Sequence, residues 1–159
     1  MPYSRIGDPV FHKIIVFRSR MSEAQHMPFV TGLSLEGERE CSFDDPSWSD
    51  VETIFENLLG FDLDRADGTL TLEAGPDVQL SLTLGNNGEL MVNWHDWESG
   101  ESWVLKSDGA FGTIRVSDAE YPACDFVDPT IALAAARVFF ETGTRLARLP
   151  WGPSATESA

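Results

Sequence analysis

Apolar residues recur at helical spacing in two stretches of the chain, and one of them has well-marked ends. Before residues 129–142, Asp128 can accept hydrogen bonds from the first free backbone N–H groups, and Pro129 has no N–H to lose in the first turn. Gly143 supplies the left-handed residue that commonly ends a helix. Apolar side chains cover most of the girth between these ends. The pattern therefore predicts a core helix buried on more than one side, with Trp151 folding back after the turn.

A second helix is predicted over about residues 46–59. Its apolar positions form one stripe, which consists of Trp48, Val51, Ile54, Phe55, Leu58 and Leu59, and Gly60 follows. Asp45, Ser47 or Ser49 could cap its first turn, and Asp50 falls on its polar face. The stripe accounts for docking of this helix onto the rest of the domain.

Between Gly68 and Ser117 the apolar period shortens from a helical spacing to strict alternation, which is typical of strands with one wet face. Strands are predicted near residues 70–72, 78–84, 90–95, 103–105 and 114–116. The turn Gly85-Asn86-Asn87-Gly88 indicates that neighbouring strands run antiparallel. A further strand is predicted at Phe11–Phe17, and one near Phe29–Leu35 is left open.

The order of these elements predicts an α+β fold. An antiparallel meander sheet of about five to six strands is expected to pack against two main helices, at about 46–59 and 129–142. The 159 residues are expected to form a single domain, 1–159, with loosely held ends at about 1–10 and 152–159.

Charge changes the picture more than composition does. The chain has 26 acidic and 11 basic residues and a net charge of -15, with an acidic run over residues 36–50 that is typical of a solvated loop. Such a field repels nucleic acid and anionic membranes and favours basic partners, although solubility alone is the competing explanation. Cys41 and Cys124 lack a C-x-x-C arrangement, which favours small buried side chains in a reducing compartment. Without a long apolar run or a signal peptide, we expect a cytoplasmic protein.

Catalytic signals are weak in this sequence. It contains no nucleotide-binding loop, nucleophile elbow or zinc-protease motif, and its three histidines are scattered, so we predict no enzyme, cofactor or metal site. His95 beside Asp96 is the one pair with acid–base potential. Neighbours on a strand point to opposite faces, however, so these two would share a site only at a bulge.

A stronger pattern surrounds one predicted hairpin, where tryptophans alternate with acids. By alternation with its neighbours Trp94 is expected in the core, whereas Trp97 is in the opposite register and better placed for exposure. Tryptophans anchor many interfaces, and carboxylates pair with lysine and arginine. The candidate binding residues are Asp96, Trp97, Glu98 and Glu101, with Asp44 and Asp45 as a second acidic patch.

The stretch A-A-A-R-V-F-F-E-T-G-T-R-L-A-R-L-P-W, residues 134–151, resembles the end of a family of bacterial immunity proteins. It is the family numbered first (Imm-one) among those that neutralise polymorphic toxins, and its last helix has the form A-x-x-F-F-x-T-G-x-R-P, followed by Trp. The matching positions are Ala136, Phe139, Phe140, Thr142, Gly143, Arg145 and Trp151. Leu146 replaces the family's proline, and the match covers under a fifth of the chain.

The resemblance implies a cytoplasmic antitoxin that binds and occludes a cognate toxin, such as a nucleic-acid deaminase or nuclease with a basic cleft. It implies no direct contact with nucleic acid or membrane. The matched residues read as fold determinants, with the two phenylalanines in the core, Gly143 as a helix stop and Arg145 capping carbonyls or pairing with an acid.

Two other functions compete with the immunity function. One is a small enzyme or ligand-binding domain, whose pocket would lie between sheet and helices, lined by Trp94 and Trp103 near His95 and Asp96. The other is an acidic adaptor for a basic protein unrelated to toxins. A neighbouring gene for a secreted protein with a C-terminal toxin domain would favour immunity over the adaptor.

Overall fold

A computed structural model describes residues 29–108, 111–145 and 148–153. These residues form two helices, α1 (Trp48–Leu59) and α2 (Pro129–Thr142), together with a 3-10 turn at Ala123–Asp125. The described strands are β1 (Gly32–Glu36), β2 (Cys41–Asp44), β3 (Thr69–Ala74), β4 (Val78–Leu84), β5 (Leu90–Asp96), β6 (Ser102–Leu105), β7 (Thr113–Val116), β8 (Ala119–Pro122) and β9 (Trp151–Pro153).

Seven strands form one antiparallel sheet in the order β2-β1-β3-β4-β5-β6-β9, and β7 and β8 form a separate hairpin. The predicted α+β class is confirmed, and the sheet is longer than the predicted meander because β1, β2 and β9 extend its edges. Trp151 folds back as predicted, since it pairs with Leu105 on β6. The strand predicted at Phe11–Phe17 and the loosely held end predicted at 1–10 lie outside the described residues. Of the end predicted at 152–159, Gly152 and Pro153 belong to β9, and the other residues lie outside the described ranges.

Alternation divides the main sheet into two unlike faces. The leucine face carries buried side chains that share register across the strands, namely Leu33, Leu35, Leu70, Leu72, Leu80, Leu82, Leu84, Leu90, Val92 and Leu105. Both helices contribute buried side chains to the same cluster. The polar face carries Ser34, Thr69, Thr71, Gln79, Ser81, Thr83, Asn93 and His95 in the alternate positions.

Helix α1 begins at a capping box. Ser47 Oγ accepts from the Asp50 N–H at 3.1 Å, and Asp50 Oδ2 accepts from the Ser47 N–H at 2.9 Å. This settles the choice among the three candidate caps in favour of Ser47. The polar-face placement of Asp50 was wrong, because the capping box keeps its side chain buried. A carboxylate there also faces the positive end of the helix dipole.

Helix α2 has the predicted ends. Asp128 accepts from the Ile131 N–H at 3.0 Å, Pro129 opens the helix, and Gly143 ends it with a φ of 73°. The buried stripe is narrower than predicted and consists of Ala132, Ala135, Ala136, Phe139 and Phe140. Ile131 is 38% exposed, so the helix packs on the sheet and against α1 but leaves its outer side in solvent.

A second, smaller core lies on the polar side of the sheet. Met91 and Val104 on the sheet contact Ile114 on β7 and Phe126 after the 3-10 turn. A Cβ on Gly85 would lie 2.6 Å from Ile114 Cγ2, so the close approach of the hairpin requires glycine there. The segment 114–116 was predicted as the last meander strand. It instead pairs with β8 in the separate hairpin that covers part of the polar face.

The acidic run before α1 also differs from its prediction as a loop. Residues Cys41–Asp44 form β2, which pairs with β1 along four register positions. Phe43 is buried at 7% exposure while Asp44 is exposed, so alternation continues within the acidic run.

We expect Ser47→Ala to lower the free energy of unfolding by about 1 kcal/mol, because the Asp50 N–H loses its hydroxyl acceptor, while the backbone N–H of residue 47 can still donate to Asp50. Ser49→Ala is the matched control, since Ser49 is an exposed serine in the same turn. Urea unfolding followed by circular dichroism measures both variants. Equal stabilities of the two variants would contradict the assignment of the cap.

Candidate functional site

The register of the sheet brings the two predicted acidic patches to the same end. Asp44 pairs with Gly32, which pairs with Glu73, and the row continues through Gln79 to His95. Four strand spacings separate the ends of this row, so Asp44 lies roughly 19 Å from the hairpin that follows His95. The acidic end is defined here as Asp44, Asp45, Glu73, Asp77, Asp96, Glu98 and Glu101.

Asp96 holds the β5–β6 turn together. Its Oδ1 accepts from the Glu98 N–H at 2.9 Å and from the Ser99 N–H at 3.4 Å, and its carbonyl accepts from the Gly100 N–H at 2.8 Å. Gly100 has a φ of 80°, which suits glycine at this position. Asp96 therefore stabilises the turn of the hairpin, and its Oδ2 is the carboxylate oxygen left to bind a partner.

Trp97 is 61% exposed, as the alternation predicts. Its ring lies 3.9 Å from the His95 ring, centroid to centroid, with the planes tilted by 57°. Its backbone N–H donates to the Asp77 carbonyl at 2.7 Å, which ties this hairpin to the β3–β4 turn. An exposed indole with a fixed backbone can act as an interface anchor.

The two glutamates of the hairpin differ in their surroundings. Glu101 Oε1 accepts from Trp103 Nε1 at 3.3 Å, whereas Glu98 is exposed at the tip of the turn. At the far side of the acidic end, Asp44 and Asp45 are both exposed. Glu98 and Asp44 are thus the carboxylates best placed to meet a partner without loss of a described hydrogen bond.

The C-terminal end of α2 lies at this end of the sheet as well. The Phe29 N–H donates to the Phe140 carbonyl at 3.3 Å, and Thr31, two residues on, donates to the Glu73 carbonyl. The last carbonyls of a helix carry partial negative charge, which adds to that of the carboxylates. Phe29 is 57% exposed and supplies a second aromatic group near the helix end.

The residues that carry the family resemblance act in folding. Ala136, Phe139 and Phe140 are buried, and Thr142 Oγ1 donates to the Val138 carbonyl at 2.7 Å. Gly143 is the left-handed helix stop. None of these contacts reaches the acidic carboxylates, so they position the surface without forming it.

Arg145 has a different role from the one predicted. Its guanidinium carbon lies 4.6 Å from the Trp103 ring centroid and 5.2 Å from that of Trp94, and these two tryptophans pair across β5 and β6. Cation–π contacts of this kind fasten the segment after α2 onto the sheet. The expectation that Arg145 caps carbonyls or pairs with an acid is replaced by this contact among the described residues.

A polar cleft lies on the opposite side of the sheet from the helices. It has a volume of about 300 Å³ between β4, β5 and β6 and the β7–β8 hairpin. Its lining residues are Gln79, Ser81, Thr83, Met91, Asn93, His95, Trp97, Ser102, Val116, Tyr121 and Asp125.

The cleft corrects the predicted location of a pocket. Between sheet and helices, where Trp94 and Trp103 were expected to line a cavity, buried leucines and phenylalanines form the core. His95 instead faces the polar cleft, while Asp96 lies in the next register position and serves the turn. His95 and Asp96 therefore do not form an acid–base pair.

Sequence reasoning missed a buried ion pair at the cleft. Asp125 is 1% exposed, and Lys106 Nζ lies 2.5 Å from its Oδ1. The carboxylate sits in A-C-D-F-V, and an acid within such an apolar run is the signal that could have predicted a buried, paired charge.

Cys41 lies on the leucine face of β2. Burial raises the pKa of its thiol from 9.0 to about 11, against the weaker opposing effect of the Arg39 charge. A protonated thiol is a poor nucleophile and metal ligand. Within the described ranges, no group of three or more His, Cys, Asp or Glu side chains is arranged to hold a metal ion.

No family model, curated protein or solved structure matches the chain. The resemblance of residues 134–151 to the immunity-protein family therefore stays a prediction. Of the helices in the described residues, neither has the length and apolar character needed to cross a membrane.

We expect Arg145→Leu to destabilise the fold by about 0.5–2 kcal/mol, because the cation–π contacts with Trp94 and Trp103 are lost. Arg148→Leu is the matched control, since Arg148 is an exposed arginine in the same connection. A double-mutant cycle with Trp103→Leu, measured by urea unfolding, isolates the contact. A coupling energy of zero would remove the proposed role of Arg145.

Cys41 is expected to react with iodoacetamide about a hundredfold more slowly at pH 8 than a thiol of pKa 9.0, because two pKa units reduce its thiolate fraction by that factor. In a Cys124→Ser background, mass spectrometry should show the rate rising about tenfold per pH unit toward pH 11. The same variant unfolded in urea provides the reference rate. A rate that levels off near pH 9 would show that burial does not raise this pKa.

Proposed function

We propose that this protein is an immunity protein that binds a basic protein toxin through the acidic end of its sheet and occludes the toxin's active site. The observation that carries the proposal is the placement of two acidic patches, far apart in sequence, at the same end of the sheet, with the exposed Trp97 next to one of them. The resemblance of residues 134–151 to the Imm-one family supports the toxin as the partner. In such a pair, the chain would act in the cytoplasm of the cell that makes it.

The chemistry of the acidic end suits an enzyme that acts on nucleic acid. A deaminase or nuclease holds its substrate in a cleft lined by lysine and arginine, because those side chains bind phosphates. Carboxylates can take the place of phosphates as partners of these cations. The net charge of -15 would also steer the two proteins together, so that association is fast at low salt.

The carboxylates and the Trp97 ring would affect different steps of binding at this surface. Rim carboxylates such as Glu98 and Asp44 mainly affect the association rate, since they remain partly hydrated in a complex. Trp97 offers a large ring that loses water on binding, so it would slow dissociation. Asp96 would contribute chiefly by keeping the turn in its shape.

An acidic adaptor that binds some other basic protein would use the same surface. The identity of the partner separates the two functions. Co-expression of this chain with the C-terminal domain encoded by the upstream gene should restore growth, and the two proteins should co-purify as a complex. An upstream gene without a toxin domain would exclude the immunity proposal and leave the adaptor.

The double change Asp44→Lys and Glu98→Lys is expected to weaken toxin binding by about tenfold or more, because two attractive contacts become repulsive. Glu52→Lys with Glu56→Lys is the matched control, since it makes the same change in net charge on the exposed side of α1. Isothermal titration calorimetry at two salt concentrations measures both double variants, and growth rescue reports protection.

If both double variants lose the same affinity, the total charge matters and the acidic end is not the contact surface. If neither loses affinity, the toxin binds elsewhere. A Trp97→Ala variant then tests the aromatic anchor separately, because it leaves every charge unchanged.

A further inference from the structure

The polar cleft contains hydrogen-bonding capacity that the rest of the described chain does not use. Besides Thr83, six of its polar side chains are half-buried: Gln79, Ser81, Asn93, His95, Ser102 and Tyr121. Their hydroxyl, amide and ring atoms make no side-chain hydrogen bond to another described residue. Thr83, the remaining half-buried polar residue of the cleft, is paired, since its Oγ1 lies 3.3 Å from Thr69 Oγ1.

Half-buried polar groups without a hydrogen-bond partner in the described part of the chain favour a ligand that supplies both donors and acceptors. They belong to strands β4, β5 and β6 and to the β7–β8 hairpin, which is held in place by the second core. The groups are therefore fixed by packed elements before a ligand arrives, which reduces the entropy lost on binding.

The charges at the cleft favour a neutral ligand. Asp125 is the buried carboxylate among the lining residues, and Lys106 already pairs with it at 2.5 Å. Anions would also meet the nearby acidic end, where Glu73 occupies the same register row as Gln79 and His95. The unpaired groups that remain are uncharged hydroxyls and amides, together with the His95 ring.

The volume and the walls restrict the ligand further. About 300 Å³ is at the lower limit of small-molecule pockets, so a compact molecule fits better than a drug-sized one. The contacting rings of His95 and Trp97, whose planes are tilted by 57°, form one wall, and Met91 and Val116 provide apolar surface. A ring that has hydroxyls on its edge and C–H groups on its faces would satisfy both kinds of wall.

We infer that the cleft between the β4–β6 strands and the β7–β8 hairpin is a binding site for a neutral polyhydroxylated molecule of monosaccharide size. Asn93 and Ser102 would hydrogen-bond its edge, and the His95–Trp97 pair would pack on its face. The observations at the cleft do not depend on toxin binding through the acidic end, although Trp97 borders both surfaces.

Titration of the ¹⁵N-labelled protein with N-acetylglucosamine, followed by NMR, tests the inference directly. The expected result is a saturable shift, in the millimolar range or tighter, of the side-chain amide signals of Asn93 and Gln79 and the indole signal of Trp97. Glucosamine and glucuronic acid are the charged comparisons of the same size, and both should bind more weakly.

The variant Asn93→Ala should weaken N-acetylglucosamine binding about fivefold to tenfold, which corresponds to the loss of one hydrogen bond. Thr71→Ala is the matched control, because Thr71 is half-buried on the same face, one strand beyond Ser81 and outside the cleft. If Asn93→Ala does not fold, Ser102→Ala on β6 gives the same test.

Three outcomes would overturn the inference. The first is the absence of saturable shifts with the neutral sugar throughout the millimolar range. The second is stronger binding of either charged comparison, which would contradict the neutral class. The third is equal binding by the cleft variant and Thr71→Ala, which would place the sugar outside the cleft.

Discussion

Side chains of an antiparallel strand alternate between two faces, and in this protein one face of the three adjacent strands β1, β3 and β4 carries leucine at most inward positions. Leu33, Leu72 and Leu80 share one register row, and Leu35, Leu70 and Leu82 share the next. A shift of one residue in any strand would turn its leucines to solvent, so burial against the two helices fixes the register. The same constraint places the alternate residues on the polar face, and it sets which loops meet at each end of the sheet.

Features encoded within a short stretch could be predicted from the sequence. The ends of α2 follow from Asp128, Pro129 and Gly143, which act within a few residues of one another. The exposure of Trp97 followed from alternation along a single strand. Each of these needs only local geometry, and each agrees with the structure.

Features that depend on distant contacts were missed or placed wrongly. The β7–β8 hairpin has a strand-like pattern, but its position depends on Ile114 meeting Gly85 across the second core. The polar cleft exists only because of that contact, so no local pattern could reveal it. Arg145 likewise contacts two aromatic rings on strands β5 and β6. The sequence around the helix end had suggested that it caps carbonyls or pairs with an acid.

The acidic end shows how folding and recognition can share residues. Asp96 and Glu101 accept hydrogen bonds within the hairpin, while Glu98 and Asp44 face solvent. Structural carboxylates therefore contribute to the negative field without being free to rearrange around a partner. Part of the negative electrostatic field therefore comes from carboxylates that the fold holds in place. The exposed carboxylates at the rim are the ones that can adjust to a partner.

Among the described residues, strand β9 comprises Trp151–Pro153, and Pro153 has no N–H to donate. A strand from another molecule could not form a regular ladder past Pro153, because proline interrupts the hydrogen bonding. Pro153 therefore disfavours edge-to-edge polymerisation of this chain through β9.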